Sequence, residues 1–323
     1  MKIELKKTDP VLEAADRNLE LRSNSGRRRQ YLGLSGAGKC PRQQAYEFKW
    51  AGQRTISARG LKAIADGYAT ELIASKRLQG AAGMILHAKD PETGEQWAAS
   101  HFGGHVRGHL DGVIEQHPVA PKTAHIWEHK AVNEKSLARF RKLKDEKGEK
   151  EALKAWNYEY WAQAMTYCLS FNIERHYIVV SSPGARGWEG ARTNLDRDQA
   201  EFLLDRLHSI VTDIDHLPDR ISDSPYAYAC RFCPFKTICH DGGEVERNCR
   251  TCRFSKPIDG PDWHCSQYDK NLTAEEQEAG CDRQRFRSSF VPGYETAVDG
   301  INPTYRLANG TDWSDTGATN GTA

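Results

Sequence analysis

Residues 106–132 read VRGHLDGVIEQHPVAPKTAHIWEHKAV. Two strand-like runs, Val106–Gln116 and Ala124–Val132, flank a proline-containing turn. The first carries Gly108-His109-Leu110-Asp111-Gly112, and the second Trp127-Glu128-His129-Lys130. Residues two apart on a strand face the same side, so Glu128 and Lys130 project together and His129 points away. If the strands pair, Asp111 lies beside Glu128, and two carboxylates and a lysine share one pocket edge. Hard oxygen donors of this kind suit Mg²⁺ or Mn²⁺. Such a metal polarises a phosphate and helps to generate hydroxide. A neighbouring lysine can orient that water or offset the growing negative charge. The His129 carbonyl is a further candidate ligand.

An isolated E-x-K is most often an ordinary ion pair on a solvated strand. The flanking segments change its meaning. Leu61, Ile64, Ala65, Tyr68, Leu72 and Ile73 recur at helical spacing, and that helix holds Gly67-x-x-x-Glu71. An aromatic-rich helix over Glu151–Phe171 holds Gln163 and Tyr167 one turn apart on one face. Short strands over Gln96–Phe102 and His176–Ser181, a short helix over Pro41–Trp50 and a helix over Asp198–Leu217 complete the pattern. The order is helix, three strands, helix, strand, helix. This is an α/β class with a central mixed sheet flanked by helices.

With these motifs in this order, the chain resembles the PD-(D/E)xK nuclease superfamily in its RecB-like exonuclease branch, over roughly residues 30–240. The resemblance implies metal binding by Glu71, Asp111 and Glu128, with Lys130 acting on the attacking water. It also implies a DNA channel lined by Gln163 and Tyr167. Some members carry histidine where this chain has Glu71. The implied activity is exonucleolytic cleavage at DNA ends in recombination, repair or phage DNA processing. A catalytically inactive DNA-binding scaffold, or an adaptation nuclease working with an integrase, are the alternatives.

Seven of the nine cysteines fall between Cys230 and Cys281, with Cys40 and Cys168 apart. Metal binding is the first reading in a chain expected in a reducing compartment. Cys230-x₂-Cys233-x₅-Cys239, with Cys40 upstream, resembles the iron–sulfur-stapled RecB-like nucleases, in which four such cysteines hold a [4Fe–4S] cluster. Zinc suits the same four thiolates. Cys249-x₂-Cys252, followed by Cys265 and Cys281, reads as a zinc ribbon, with His240 and His264 as spare ligands. Cys168 reads as a small core residue. The expected domains are therefore a nuclease core over 1–240, a zinc-binding module over 241–287 and a flexible tail over 288–323.

Gly33-Leu34-Ser35-Gly36-Ala37-Gly38-Lys39-Cys40 nearly spells a phosphate-binding loop. Cys40 stands where the motif needs Ser or Thr to hold Mg²⁺, so an ATPase is rejected. The formal net charge of +1 excludes a uniformly basic nucleic-acid coat and permits a locally basic cleft. Arg42, Arg139, Arg141, Lys142 and Lys144 are candidate phosphate contacts. Tyr158, Tyr160 and Trp161 are candidate stacking surfaces or core residues. No run of about 18 apolar residues occurs, and MKIELKKTDP lacks the apolar stretch of a signal peptide. A cytoplasmic, membrane-free protein, or one of the host cytoplasm if viral, is the expectation.

Overall fold

The computed structural model describes residues 9–24, 26, 28–81 and 83–317. In chain order the elements begin with α1 (Pro10–Asn24), β1 (Leu32–Gly33), α2 (Pro41–Phe48) and α3 (Ala58–Gln79). The strands β2 (Ile85–His87), β3 (Ala98–His101), β4 (Val106–His109), β5 (Gly112–Glu115) and β6 (His125–Ala131) follow. Next come α4 (Glu134–Lys147), α5 (Glu149–Trp156), α6 (Tyr158–Ser170), β7 (Arg175–Ser181), β8 (Trp188–Asn194) and α7 (Arg197–Thr212). The last part holds α8 (Tyr228–Arg231), α9 (Lys236–His240), β9 (Ser255–Pro257), β10 (Trp263–Cys265), β11 (Lys270–Leu272) and α10 (Ala274–Ala279). It ends with β12 (Gly293–Asp299), β13 (Asn302–Leu307) and β14 (Asp312–Ser314).

The central sheet has the order β2-β5-β6-β7-β8. Only the β6–β7 pair is parallel in it, with Ile126 opposite His176 and Lys130 opposite Val180. A parallel pair needs a long crossover, which α4, α5 and α6 supply. Side-chain caps set where these helices start: Asn133, Asn157 and Asp196 accept the amides of Ser136, Tyr160 and Gln199. α6 lies across the sheet with every residue from Trp161 to Cys168 buried. One face of β6 and β7 (Ile126, Ile178, Val180) joins Met165, Leu203 and Leu207 in the main core. The other face (Trp127, Val179) packs with Ala74 of α3.

The run Val106–Gln116 is two strands rather than one. β4 pairs with β1 and β3 in a separate three-stranded sheet, while β5 belongs to the central sheet. The chain changes sheets at Leu110-Asp111, which projects Asp111 from the seam. The helix expected over 151–171 is likewise broken at Asn157, and the acid- and base-rich stretch before it forms α4.

Residues 293–314, within the stretch expected as a tail, form an antiparallel meander, β12-β13-β14, with Tyr305 fully buried. Residues 318–323 of that tail lie outside the described residues. The segment 241–287 packs against the core. Cys249, Trp263, Cys265 and Leu272 share the apolar cluster of Val113, Ile126 and Met165. Arg250 explains the union. Its fully buried guanidinium lies 3.9 Å from the Trp50 ring centroid and 4.9 Å from that of Trp263. It also donates to the carbonyls of Gln30 and Phe48 and to Gln277. No helix among the described residues is long and apolar enough to cross a membrane.

Candidate active site

Glu71, Asp111, Glu128, Lys130, Gln163 and Tyr167 line one cleft of about 360 Å³. They come from α3, the β4–β5 seam, β6 and α6. β5 and β6 align Gly112 with Trp127, which sets Asp111 next to Glu128. The Asp111 Oδ2 accepts the backbone N–H of His129 at 2.8 Å. The His129 side chain leaves through the opposite face, where its Nε2 lies 2.9 Å from Ser181 Oγ. Burial, with the nearby Lys130 charge second, pushes its pKa down to about 4.

Lys130 Nζ donates to Glu128 Oε1 and sits 4.9 Å from the centroid of the Tyr160 ring. The second oxygen of Glu128, Oε2, is buried and has no hydrogen-bond donor. Burying a carboxylate oxygen without a partner is costly, and a cation ligand is one way to satisfy it. The three carboxylates also oppose one another. Burial, then the charge of Glu128, holds Glu71 above its ordinary pKa. The same two causes, in the same order, raise Asp111 well above its own. Burial opposes the Lys130 charge, but Glu128 and Asp111 outweigh it and hold the ammonium in its charged form.

Tyr167 is almost fully buried, and Gly108 lets it approach. A Cβ at Gly108 would lie 2.5 Å from Tyr167 Cε1 and 2.9 Å from Leu34. The first strand of the motif therefore carries glycine where the aromatic helix crosses it.

Other sequence candidates lie elsewhere. Arg42 faces a different cavity, and its Nε donates to Pro218 O at 2.6 Å. Arg141 and Lys144 pair with Glu189, and Lys142 with Glu146. Trp161 is core, while Tyr158 is exposed. The cleft gains residues that sequence reasoning did not select: Arg29, Tyr31, Tyr68, Gln96, Arg107 and His109.

Cys40, Cys230, Cys233 and Cys239 line that second cavity together with Arg42, Tyr46 and His240. Cys249, Cys252, Cys265 and Cys281 also lie within electrostatic reach of one another. Burial, then Cys252, Cys281 and Cys265, pushes the Cys249 thiol up to about 12. Cys168 is buried in the core, and all nine cysteines are unbridged. Among the described residues, no group of three or more His, Cys, Asp or Glu side chains is drawn into metal-binding geometry.

No protein-family description and no curated protein matches the chain. Three solved structures are similar to part of it. An alkaline exonuclease from Laribacter hongkongensis is 13% identical, over 60% of this chain and 90% of that one, with a TM-score of 0.39. A phage-related exonuclease from Haemophilus somnus 129PT is 15% identical, over 56% and 91%, with a TM-score of 0.40. A protein described as SSO0001 is 15% identical, over 72% and 96%, with a TM-score of 0.39. At this level the overlap is partial, and the site is read from its own geometry.

Proposed function

We propose that this chain is a divalent-metal-dependent exonuclease acting on DNA ends. One observation carries the reading. Three carboxylates, a charged lysine, a glutamine and a tyrosine from four parts of the fold line a single cleft, with a buried Glu128 oxygen left unpartnered. The donor set is all oxygen and its excess charge is negative, which fits Mg²⁺ or Mn²⁺. Glu71, Asp111 and Glu128 would hold that ion, with the His129 carbonyl as a further donor. When bound, it would polarise the scissile phosphate and favour hydroxide as the nucleophile.

The chain's own groups do the rest. The His129 amide fixes the Asp111 carboxylate. Glu128 and the Tyr160 ring hold Lys130 in place, where its positive charge offsets charge growing on the phosphate. Gln163 and Tyr167 offer hydrogen-bonding groups to the strand beside the cut. DNA-end processing in recombination, repair or phage replication is the setting that the motif resemblance suggests.

The cysteine sets belong to the same proposal. Four thiols around one cavity suit a [4Fe–4S] cluster on Cys40, Cys230, Cys233 and Cys239, which would staple α2 to the end of the core. Cys249, Cys252, Cys265 and Cys281 suit Zn²⁺. Iron, sulfide and zinc analysis of anaerobically purified protein tests both. Zinc without iron would transfer the first set to zinc.

Activity is tested on end-labelled linear and covalently closed circular DNA with Mg²⁺ or Mn²⁺. Stepwise shortening of linear strands, with closed circles untouched, is the expected pattern. Equal cleavage of circles would replace the exonuclease reading by an endonuclease.

A further inference from the structure

The chain around α8 is anchored by few side chains. Within α8 only Cys230 is buried. Phe235 then turns into the core, with its ring 5.6 Å from that of Tyr46. The other rings of this stretch stay in solvent. Tyr226, Tyr228 and Phe232 are 81%, 88% and 72% exposed, and Ile221 is 55% exposed. Tyr228 and Phe232 stand one helical turn apart, and their rings meet edge-on at 6.3 Å. Cations lie over the ring faces: Arg231 is 5.1 Å from the Phe232 centroid and Lys236 is 5.4 Å from that of Tyr226. Neither cation has an acidic partner among the described residues. Asp219 and Asp223, exposed on either side of Ile221, have no basic partner among them.

Aromatic rings bury ~150–250 Å² each when covered, so at these exposures the three leave roughly 360–600 Å² open. Patches of that size mark interaction sites. A standard interface takes about 800 Å² from each partner. The three rings therefore supply roughly half to three quarters of one side. Tyr, Phe and Arg are also the residues that protein interfaces concentrate. The charges decide what covers the rings. A polyanion such as DNA would gain Arg231 and Lys236 but would be repelled by Asp219 and Asp223. An apolar centre with free acids and free bases around it can instead complement itself. A two-fold interface between like chains requires that property.

We propose that Tyr226, Tyr228 and Phe232 form the centre of a two-fold interface with a second copy of this chain. In it, Arg231 and Lys236 of each copy meet Asp219 and Asp223 of the other. Ile221 and Lys236 also line the cysteine-lined cavity, so the second copy lies against that cavity. The proposal does not depend on the nuclease reading of the cleft.

The test is sedimentation equilibrium of the full chain, purified anaerobically, across a concentration series. Wild type is compared with Tyr228→Ser/Phe232→Ser, Arg231→Glu/Lys236→Glu and Asp219→Lys/Asp223→Lys, all checked for an unchanged melting temperature. Wild type should reach twice the chain mass. The ring variant should weaken the dimer by about 30-fold or more, the effect of losing one dominant interface residue. Each charge variant alone should stay at one chain mass, since its two copies would then present like charges. Mixed together, the two charge variants should form a dimer with one another, an effect that no folding defect produces.

A wild type that stays at one chain mass throughout, or a ring variant that dimerises as well as wild type, would overturn the interface. Charge variants that fail to pair when mixed would overturn its two-fold arrangement. A monomeric wild type whose oligo-dT binding in EDTA is lost in the ring variant would give the patch to nucleic acid instead.

Discussion

The acidic cleft depends on a few contacts that single substitutions can break. Removing the Lys130 ammonium would leave Glu128 buried beside Asp111 with nothing to balance it. Lys130→Ala should lower the cleavage rate by ~10²–10³-fold, the scale for losing one preorganised electrostatic group, as measured in single-turnover assays. Gly108→Ala tests the crossing of α6 over β4. The added methyl group would meet Tyr167 and Leu34, so it should cost ~1–3 kcal/mol by overpacking. A thermal melt would read this, and an unchanged melting temperature would show that Tyr167 can yield. At this scale much of the site was legible in advance. Strand alternation alone put Glu128 and Lys130 on one side and His129 on the other, and the helical spacing of Gln163 and Tyr167 put both on one face. Arg29, Tyr31 and Arg107 were not legible. Their contact joins β4 to the chain before β1, and no local periodicity reports such a meeting.

Elements were legible where one face is apolar and the other polar, and illegible elsewhere. β7 announces itself by its apolar run Ile178-Val179-Val180, and β6 by the alternation around Glu128-x-Lys130. The break between β4 and β5 does not, because the apolar residues continue across Leu110 while the chain passes from one sheet to another. α4 buries only Leu137 and Phe140, so its sequence reads as a charge-rich connection. β12 is exposed at every position and shows no alternation to detect. The role of Arg250 is equally invisible in sequence, since a buried arginine held by aromatic rings looks like any surface arginine. It joins the helical turn at residues 249–251 to α2 and to the chain before β1. Arg250→Ala should therefore destabilise the whole chain by about 1.5–3 kcal/mol or more, the scale of one hydrogen bond to a charged group. A single cooperative unfolding transition shifted downward is the expected melt. An early separate transition for the C-terminal part would show that 241–287 folds on its own.

The whole molecule combines a buried, largely neutral sheet with a crowded acidic cleft, and pH acts on them in opposite senses. Burial, followed by the charge of His117, lowers His125 to about 4, and burial followed by the charge of Lys130 lowers His176 to about 3. Both imidazoles titrate at 6.5 when unperturbed. Between those values the unfolded chain binds protons that the folded chain refuses. Stability is therefore full above 6.5 and falls as the pH drops toward 4. The raised carboxyls of Glu71 and Asp111 work the other way, since protonation relieves their repulsion in the folded state. His125→Gln should flatten the acid side of the stability profile, as followed by denaturant midpoints. A divalent cation would relieve the same repulsion without acid, so Mn²⁺ should raise the melting temperature of wild type at neutral pH and leave that of Asp111→Asn unmoved. The most direct test of the metal-dependent nuclease reading is cleavage of an end-labelled single strand across a Mn²⁺ titration, in wild type and in folded Asp111→Asn. The expected result is saturable, EDTA-sensitive cleavage by wild type and a loss of at least ~10²-fold in the variant. Equal cleavage by both proteins, or cleavage that survives EDTA, would contradict it.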